Sequence, residues 1–171
     1  MEYYDVYDAD GNNTGEVIPR GKMPPYGKYY RGIHAYVYNS AGMFLIQLRA
    51  FTKKALPGIW DTHMGHVVSG ETPLDCAVRE VHEEIGLEIS PEDVTSVDVV
   101  LNSVEVPIIL DVFFVKKEFV IADLVLESSE VAAVKEVTSD ELLELVGKMK
   151  RSEGYRKTVS DRIKAISEKI H

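Results

Sequence analysis

The stretch from residue 65 to residue 87, GHVVSGETPLDCAVREVHEEIGL, constrains the fold of this 171-residue chain more than any other segment. Thr72 has the residue type of a helix N-cap, and the proline after it is tolerated at the first helical position. Gly86 is typical of a helix C-terminus. Apolar residues recur at helical spacing between these two ends, namely Leu74, Ala77, Val78, Val81 and Ile85. We therefore predict an amphipathic helix whose apolar stripe packs on another layer of the protein.

Three glutamates, Glu80, Glu83 and Glu84, lie on a neighbouring stripe of the same predicted helix, spaced i, i+3 and i+4. Like charges at this spacing destabilise a helix by about 0.2–0.5 kcal/mol per pair. The cluster is explained if a hard cation lies among the oxygens, because Mg²⁺ prefers carboxylates, water and substrate phosphates. A solvated acidic face is the alternative interpretation.

The pattern Gly65-x5-Glu71-x7-Arg79-Glu80-Val81-x-Glu83-Glu84-x-Gly86-Leu87 resembles the Nudix box at every defined position. The segment PGIWD before it and the segment SSEVAAVKEVTSDELLEL after it are similar to the isopentenyl-diphosphate-isomerase-like branch of that superfamily. The resemblance covers about residues 3–145. It implies a mixed α+β fold, the Nudix-type α/β/α sandwich with a mixed β-sheet between helices. It also implies a hydrolase in which Mg²⁺, with Mn²⁺ as a substitute, helps water attack a diphosphate.

The resemblance implies catalytic or metal-ligating roles for seven residues: Glu71, Arg79, Glu80, Glu83, Glu84 and Glu130 through their side chains, and Gly65 through its carbonyl oxygen. Glu83 and Glu84 are the expected principal metal ligands. Glu80 is a further ligand or the general base, held by Arg79. Glu71 anchors Arg79, and Glu130 is a secondary candidate for a ligand or base.

Substrate contacts are expected from cations and rings near the box. The candidates are Arg31, Arg49, Lys53, Lys54, Trp60 and His66. Arginine and lysine suit phosphate groups, although a solvated basic loop is the plainer reading of residues 49–58. Trp60 would either stack on a ring of the substrate or anchor the core. His63 and His66 flank Gly65, and either would touch the metal or the phosphates.

Two other functions compete with hydrolysis. Isomerases of the resembling branch have a catalytic cysteine just before a Gly-His pair, where this chain has Met64, and they have a histidine where it has Tyr30. Cys76 lies in the predicted helix and cannot substitute. An isopentenyl-diphosphate isomerase is therefore disfavoured. A non-catalytic module that binds a diphosphate ligand is the third reading, although such a module would usually have lost a box glutamate.

The charge balance narrows the choice of partners. The net charge is −9, which argues against nucleic-acid polymers and anionic membranes. A small diphosphate remains an acceptable partner, because residues 1–60 have seven basic and five acidic side chains. The lone cysteine excludes an intrachain disulfide, and no signal peptide is apparent, so we expect a cytoplasmic protein. The oligomeric state stays open, with a homodimer as one option.

We expect a single domain over residues 1–171, with an N-terminal hairpin in about 1–20, the box at 65–87 and C-terminal helices in about 139–170. The helix pair is predicted by the capping box Thr138-x-x-Glu141 and by the pattern of residues 154–169. Periodicity and turn residues predict strands at Tyr3–Tyr7, Gly15–Ile18, Ile33–Tyr38, Met43–Leu48, His63–Val68, Val94–Leu101, Val106–Val115 and Val131–Val137.

Overall fold

The computed structural model describes residues 1–102 and 106–170, with the side chains of Leu101 and Asn102 excepted. The strands are β1 Tyr3–Tyr7, β2 Asn13–Pro19, β3 Tyr30–Tyr38, β4 Phe44–Arg49, β5 Trp60–Asp61, β6 His63–His66, β7 Val94–Asn102, β8 Ile108–Lys116 and β9 Val131–Val137. The helices are α1 Pro73–Ile85, α2 Ser139–Lys148 and α3 Glu153–Ile170. Over these described ranges, no helix combines the length and the apolar character that crossing a bilayer requires.

The main sheet is mixed, as predicted. Its strands follow the order β5-β4-β3-β8-β7, and β6 and β9 pair with β3 and β4 respectively. Strands β3 and β8 run parallel, with Tyr30 opposite Ile108, whereas the other pairs are antiparallel. Strands β1 and β2 form the predicted hairpin, which is a separate two-stranded sheet.

Alternation along β3 divides the core into two layers, because successive side chains point to opposite faces of a strand. Ile33, Ala35 and Val37 pack with the buried side of α1. Tyr36 and, less buried, Tyr38 belong to the cluster on the other face. Helices α2 and α3 contribute Leu142, Val146, Tyr155, Val159, Ile163 and Ile166 to that second cluster. The predicted α/β/α arrangement is confirmed.

Helix α1 begins and ends where the sequence predicts. The Thr72 hydroxyl accepts a hydrogen bond from the backbone N–H of Asp75 at 3.1 Å, and the Asp75 carboxylate accepts one from the N–H of Thr72 at 3.3 Å. Gly86 ends the helix with a φ of 68°, a left-handed conformation that a glycine adopts without a steric penalty. These local contacts fix where the helix begins and ends, and therefore where the box glutamates lie within it.

The predicted strands differ from the observed ones mainly at their ends. Strand β3 starts at Tyr30, three residues early, because its parallel pairing with β8 begins there. Strand β8 begins at Ile108, two residues later than predicted, and β6 stops at His66. Strand β5 was not predicted, since two residues are too few to show an alternating pattern.

Candidate active site

Arg79 is the centre of a network of carboxylates at the C-terminal half of α1. Its Nε and Nη2 atoms donate to the two oxygens of Glu71 at 2.8 and 3.0 Å. Its Nη1 atom donates to Glu80 at 2.8 Å and to Glu83 at 3.1 Å. These charge-assisted hydrogen bonds raise the pKa of Arg79, so its guanidinium stays charged. One cation therefore positions three acidic side chains of the box.

Gly65 and Glu80 are brought together by the packing of α1 against β6. A Cβ atom at position 65 would overlap the carboxyl group of Glu80, so only glycine leaves room for that side chain. Burial raises the pKa of Glu80 to about 7, although Arg79 acts in the opposite direction. The Glu80 carboxyl group thus lies close to the backbone of residue 65, whose carbonyl is the expected further ligand.

Glu84 differs from the other two glutamates because it is only 3% exposed. Its Oε2 atom lies 3.2 Å from Nδ1 of His63, which is fully buried on β6. The Nε2 atom of His63 has no hydrogen-bond partner among the described residues. The buried imidazole of His63 therefore contacts the Glu84 carboxylate directly from the side of β6.

The donor set suits a hard divalent cation. Glu80, Glu83, Glu84 and the carbonyl of Gly65 all offer oxygen ligands, which Mg²⁺ and Mn²⁺ prefer. Glu80 and Glu83 are turned towards Arg79, and Glu84 is turned towards His63. Accordingly, in the described part of the chain, no three acidic, histidine or cysteine side chains are already arranged around a common point. Chemically the residues fit the ion, because each glutamate uses only one of its two carboxylate oxygens in these contacts with Arg79 or His63.

A cavity of about 1330 Å³ adjoins this network. Most of the predicted site residues line it: Arg49, Lys53, Lys54, Gly65, His66, Arg79, Glu80, Glu83, Glu84 and Glu130. Lys53 donates from Nζ to Glu130 at 2.6 Å, and the Arg49 guanidinium donates to the carbonyl of Ala55. The basic loop therefore shares one cavity with the glutamates, as a phosphate-binding role requires.

Comparison with known proteins decides the family. The family model described as NUDIX domain matches residues 28–159, which is more than half of the chain. This chain belongs to the NUDIX family. An uncharacterized Nudix hydrolase of Listeria monocytogenes is 32% identical over 143 residues, covering 83% of this chain and 83% of that protein. Nudix hydrolase 3 of Arabidopsis thaliana is 31% identical over 161 residues, which are 86% of this chain but 20% of that protein.

Isomerases are also among the relatives of this Nudix protein. An isopentenyl-diphosphate Delta-isomerase of Cutibacterium acnes is 38% identical over 88 residues, which are 50% of this chain and 44% of that protein. A crystal structure from Deinococcus radiodurans has a TM-score of 0.70 at 19% identity and covers 96% of this chain and 99% of that chain. That likeness shows the shared fold. Family membership assigns the chain as a Nudix hydrolase, an enzyme of the class that acts on pyrophosphate bonds.

Two of the expected substrate contacts lie outside the cavity lining, as far as the described residues define it. Arg31 donates from Nε and Nη2 to Asp111 at 2.7 and 3.0 Å, because the parallel pairing of β3 and β8 brings these positions together. Trp60 packs beside the α2–α3 core cluster, and the ammonium group of Lys135 lies 4.5 Å from its ring centroid. In the Nudix protein both side chains are therefore engaged in contacts within the fold.

Several other residues that line the cavity belong to no sequence motif, so the sequence did not predict them as site residues. Arg20, which pairs with Glu2 at 2.6 Å, lines the cavity at the N-terminal hairpin. Tyr4 stacks on His66 with ring centroids 5.2 Å apart, so the hairpin forms one wall. At another point of the lining, Arg151 lies near the buried Asp61. Long-range packing alone places these residues, so no local signal was available to find them.

Proposed function

We propose that this Nudix hydrolase uses Mg²⁺ to cleave a diphosphate linkage with water as the nucleophile. The substrate would be a nucleoside diphosphate joined to another group, or a related organic diphosphate. One observation supports the proposal above the others: Arg79 holds both Glu83 and Glu80, the latter beside Gly65, in a cavity that Arg49 and Lys53 also line. Acidic metal ligands and basic phosphate contacts are thus available to the same small molecule.

The residues divide the chemistry among them. Glu80, Glu83, Glu84 and the Gly65 carbonyl would hold Mg²⁺, with Mn²⁺ as a substitute. When bound, such an ion offsets the charge of the phosphoryl oxygens and lowers the pKa of a bound water. Glu80, held by Arg79, is our candidate to accept the proton of the attacking water at a carboxylate oxygen.

The cavity offers a second acid and several cations. Glu130 is the alternative general base, and its ion pair with Lys53 keeps it on the cavity wall. Arg49, Lys53 and Lys54 are our candidates to bind the phosphates, since they line the cavity and supply charged donors. Their contribution is to orient the diphosphate against the glutamates.

The contacts at Met64 and Cys76 argue against an isomerase. Met64 lines the cavity, but its thioether has no proton to donate. Cys76 is fully buried on the inner side of α1, and burial raises the pKa of its thiol. Neither side chain therefore supplies the acid that the isomerases of the resembling branch use.

A panel of diphosphates tests the proposal. Nucleoside, dinucleotide, sugar, coenzyme and prenyl diphosphates are incubated with the protein and Mg²⁺ or Mn²⁺, and phosphate or monophosphate release is measured. We expect hydrolysis of at least one compound, and a loss of roughly 1,000-fold or more in the Glu83→Gln, Glu84→Gln double variant, equivalent to about 4 kcal/mol of barrier. Glu88→Gln is the matched control, since Glu88 is exposed and pairs with His82.

The same panel separates the competing functions. Thermal stabilisation by a diphosphate without turnover would favour a binding module. Conversion of isopentenyl diphosphate to dimethylallyl diphosphate, followed by NMR, would favour the isomerase. Equal activity of the wild type and the double variant on every compound would refute the hydrolase.

We also propose that the partner is a small molecule and that the protein acts in the cytoplasm. The net charge of −9 disfavours polyanions. The buried free thiol of Cys76 is compatible with a reducing compartment. Fractionation with an antibody to the chain would check the location.

A further inference from the structure

Arg151 is a largely buried cation in the turn between α2 and α3, and it lines the same cavity as the box glutamates. Its side chain is only 11% exposed. Its backbone carbonyl accepts a hydrogen bond from Nη1 of Arg156 at 2.8 Å, which fastens the turn to the first part of α3. The position of this guanidinium is therefore set by the fold.

The hydrogen bonds of the Arg151 guanidinium are incomplete within the described residues. Nη1 donates to the carbonyl of Lys150 at 3.1 Å. The nearest carboxylate oxygen, on Asp61, is 3.9 Å from Nη2, which is too long for a hydrogen bond. The buried Nε has no hydrogen-bond partner in the part of the chain that the structure describes. A guanidinium offers five N–H donors, and leaving buried donors unpaired costs free energy.

The groups around Arg151 do not supply the missing acceptors. Burial raises the pKa of Asp61 to about 6, and one of its oxygens accepts from the backbone N–H of Thr62 at 2.8 Å. Burial, together with the charge of Arg151, lowers the pKa of His34. Its Nδ1 atom forms a hydrogen bond with the Tyr155 hydroxyl at 2.5 Å. Within residues 1–102 and 106–170, the Nε donor therefore has no acceptor, and the Asp61 carboxylate is 3.9 Å from Nη2.

The position of Arg151 relative to the sheet suggests what would reach it. On β3, Ile33 packs towards α1, whereas His34 faces Tyr155 of α3. The box glutamates belong to α1, so the cavity extends from the α1 side to the side where Arg151 lies. Its volume of about 1330 Å³ exceeds the roughly 300–1,000 Å³ of common small-ligand pockets. A bound molecule therefore has room to extend well beyond its diphosphate.

We propose that Arg151 binds a second anionic group of the substrate, a phosphate or carboxylate that is separate from the cleaved diphosphate. Arg151 then selects among organic diphosphates by the chemistry of the far end of the molecule. This inference rests on the proposed function for the choice of substrate class. The direct basis for it is the guanidinium in the cavity, whose buried Nε has no hydrogen-bond partner among the described residues.

Three matched pairs of compounds test the inference: NADPH and NADH, coenzyme A and dephospho-coenzyme A, and UDP-glucuronate and UDP-glucose. The first member of each pair has an additional phosphate or carboxylate. Dissociation constants are measured by calorimetry in Ca²⁺, and kcat/KM is measured in Mg²⁺. We expect the wild type to prefer the charged member of at least one pair by tenfold or more. The pair that shows the preference distinguishes phosphate from carboxylate.

Variants assign the preference to Arg151. Arg151→Gln should reduce the preference to twofold or less, and Arg151→Lys should retain part of it. The control Lys148→Gln removes a nearby exposed cation, which pairs with Glu144, and should leave the preference unchanged. If Arg151→Gln does not fold, Arg151→Lys decides, because loss of the planar fork should still lower the preference at least threefold.

The two proposals fail in different ways. Turnover with no preference in the wild type, or with the same preference in Arg151→Gln, overturns the role of Arg151 and leaves the hydrolase intact. An Arg151-dependent preference in binding without any turnover refutes the hydrolase and supports the anion site. A preference that Lys148→Gln abolishes equally would indicate a general charge effect and overturn the inference.

Discussion

Arg79 and Glu71 form a bidentate ion pair, in which both carboxylate oxygens of Glu71 accept hydrogen bonds from the guanidinium at 2.8 and 3.0 Å. Glu71 also accepts from the backbone N–H of Val68 at 3.1 Å. The pair therefore ties the loop before α1 to the middle of that helix. It also leaves Nη1 of Arg79 free to hold Glu80 and Glu83.

Glu71→Gln should impair catalysis, although Glu71 is not among the described residues that line the cavity. The amide keeps the size of the side chain but loses one acceptor, so Arg79 is held less firmly and Glu80 moves with it. We expect kcat/KM to fall by about 100-fold and the free energy of unfolding by about 2 kcal/mol. Steady-state kinetics and urea unfolding measure the two effects. Glu16→Gln, at an exposed position of β2, is the control, and equal kinetics in the two variants would contradict the positioning role.

His63→Phe should weaken metal binding, because it removes the side chain that contacts Glu84 from behind. Loss of a partner that orients a ligand commonly costs about 10–100-fold in metal affinity. The measurement is the dissociation constant for Mn²⁺ by calorimetry without substrate. His63→Gln, which keeps a donor, should recover part of the affinity. An unchanged constant in His63→Phe would show that the contact is only structural.

Gly65→Ala should abolish most of the activity while retaining the fold. The added methyl group would overlap the Glu80 carboxyl group, and Glu80 must then leave its place between β6 and Arg79. We expect a loss of about 100-fold in kcat/KM. Gly147→Ala is the matched control, because nothing lies within 4 Å of a Cβ atom there. That substitution in α2 should preserve activity and raise stability by up to about 1 kcal/mol.

The stability of Asp61→Asn relative to the wild type, measured as the free energy of unfolding, should increase as the pH rises. Burial raises the pKa of Asp61 from 3.8 to about 6 in the folded protein. The folded state therefore binds more protons than the unfolded state in this window, and wild-type stability falls as the pH increases through it. A difference of about two units corresponds to about 3 kcal/mol. Asparagine does not titrate, so this loss is absent from the variant.

Urea unfolding at pH 4.5, 5.5, 6.5 and 7.5 measures the effect. The quantity of interest is how the difference in unfolding free energy between Asp61→Asn and wild type changes with pH. A loss that does not depend on protonation, such as altered packing of the amide, would shift every point equally and is thereby separated from the titration. Asp10→Asn, in the exposed hairpin turn, serves as the control. A pH-independent difference at position 61 would contradict the raised pKa.

The box helix was predictable because its contacts are local. The capping hydrogen bonds of Thr72 join residues three apart, and the stop at Gly86 is a property of one residue. Strand β9 and helix α2 were likewise predicted to within a residue, since a strand pattern ends there at the Thr138 capping box. The mixed sheet was predicted from the order of strands and helices, which do not strictly alternate, and from the family resemblance, but no local rule assigns β3 and β8 as parallel neighbours.

The expected substrate contacts show where prediction from sequence stopped. Arg49, Lys53 and Lys54 line the cavity because they share a loop next to the box. Arg31 is also a basic residue, but its guanidinium donates a hydrogen bond to Asp111, which lies eighty positions further along the chain. A sequence shows which cations are present but not which of them already have a partner.

The sequence by itself determined the box helix and the order of the carboxylates along it. It also determined that the protein belongs to a diphosphate-hydrolysing family. These properties depend on spacings of a few residues. Tertiary structure alone decided that His63 contacts Glu84 and that Arg151 reaches the cavity with its Nε unpaired among the described residues. These contacts exist only after strands and helices that are distant in the chain have packed together. We propose that the Nudix box supplies the acidic metal ligands and that the packing around it determines which further groups of a substrate the protein binds.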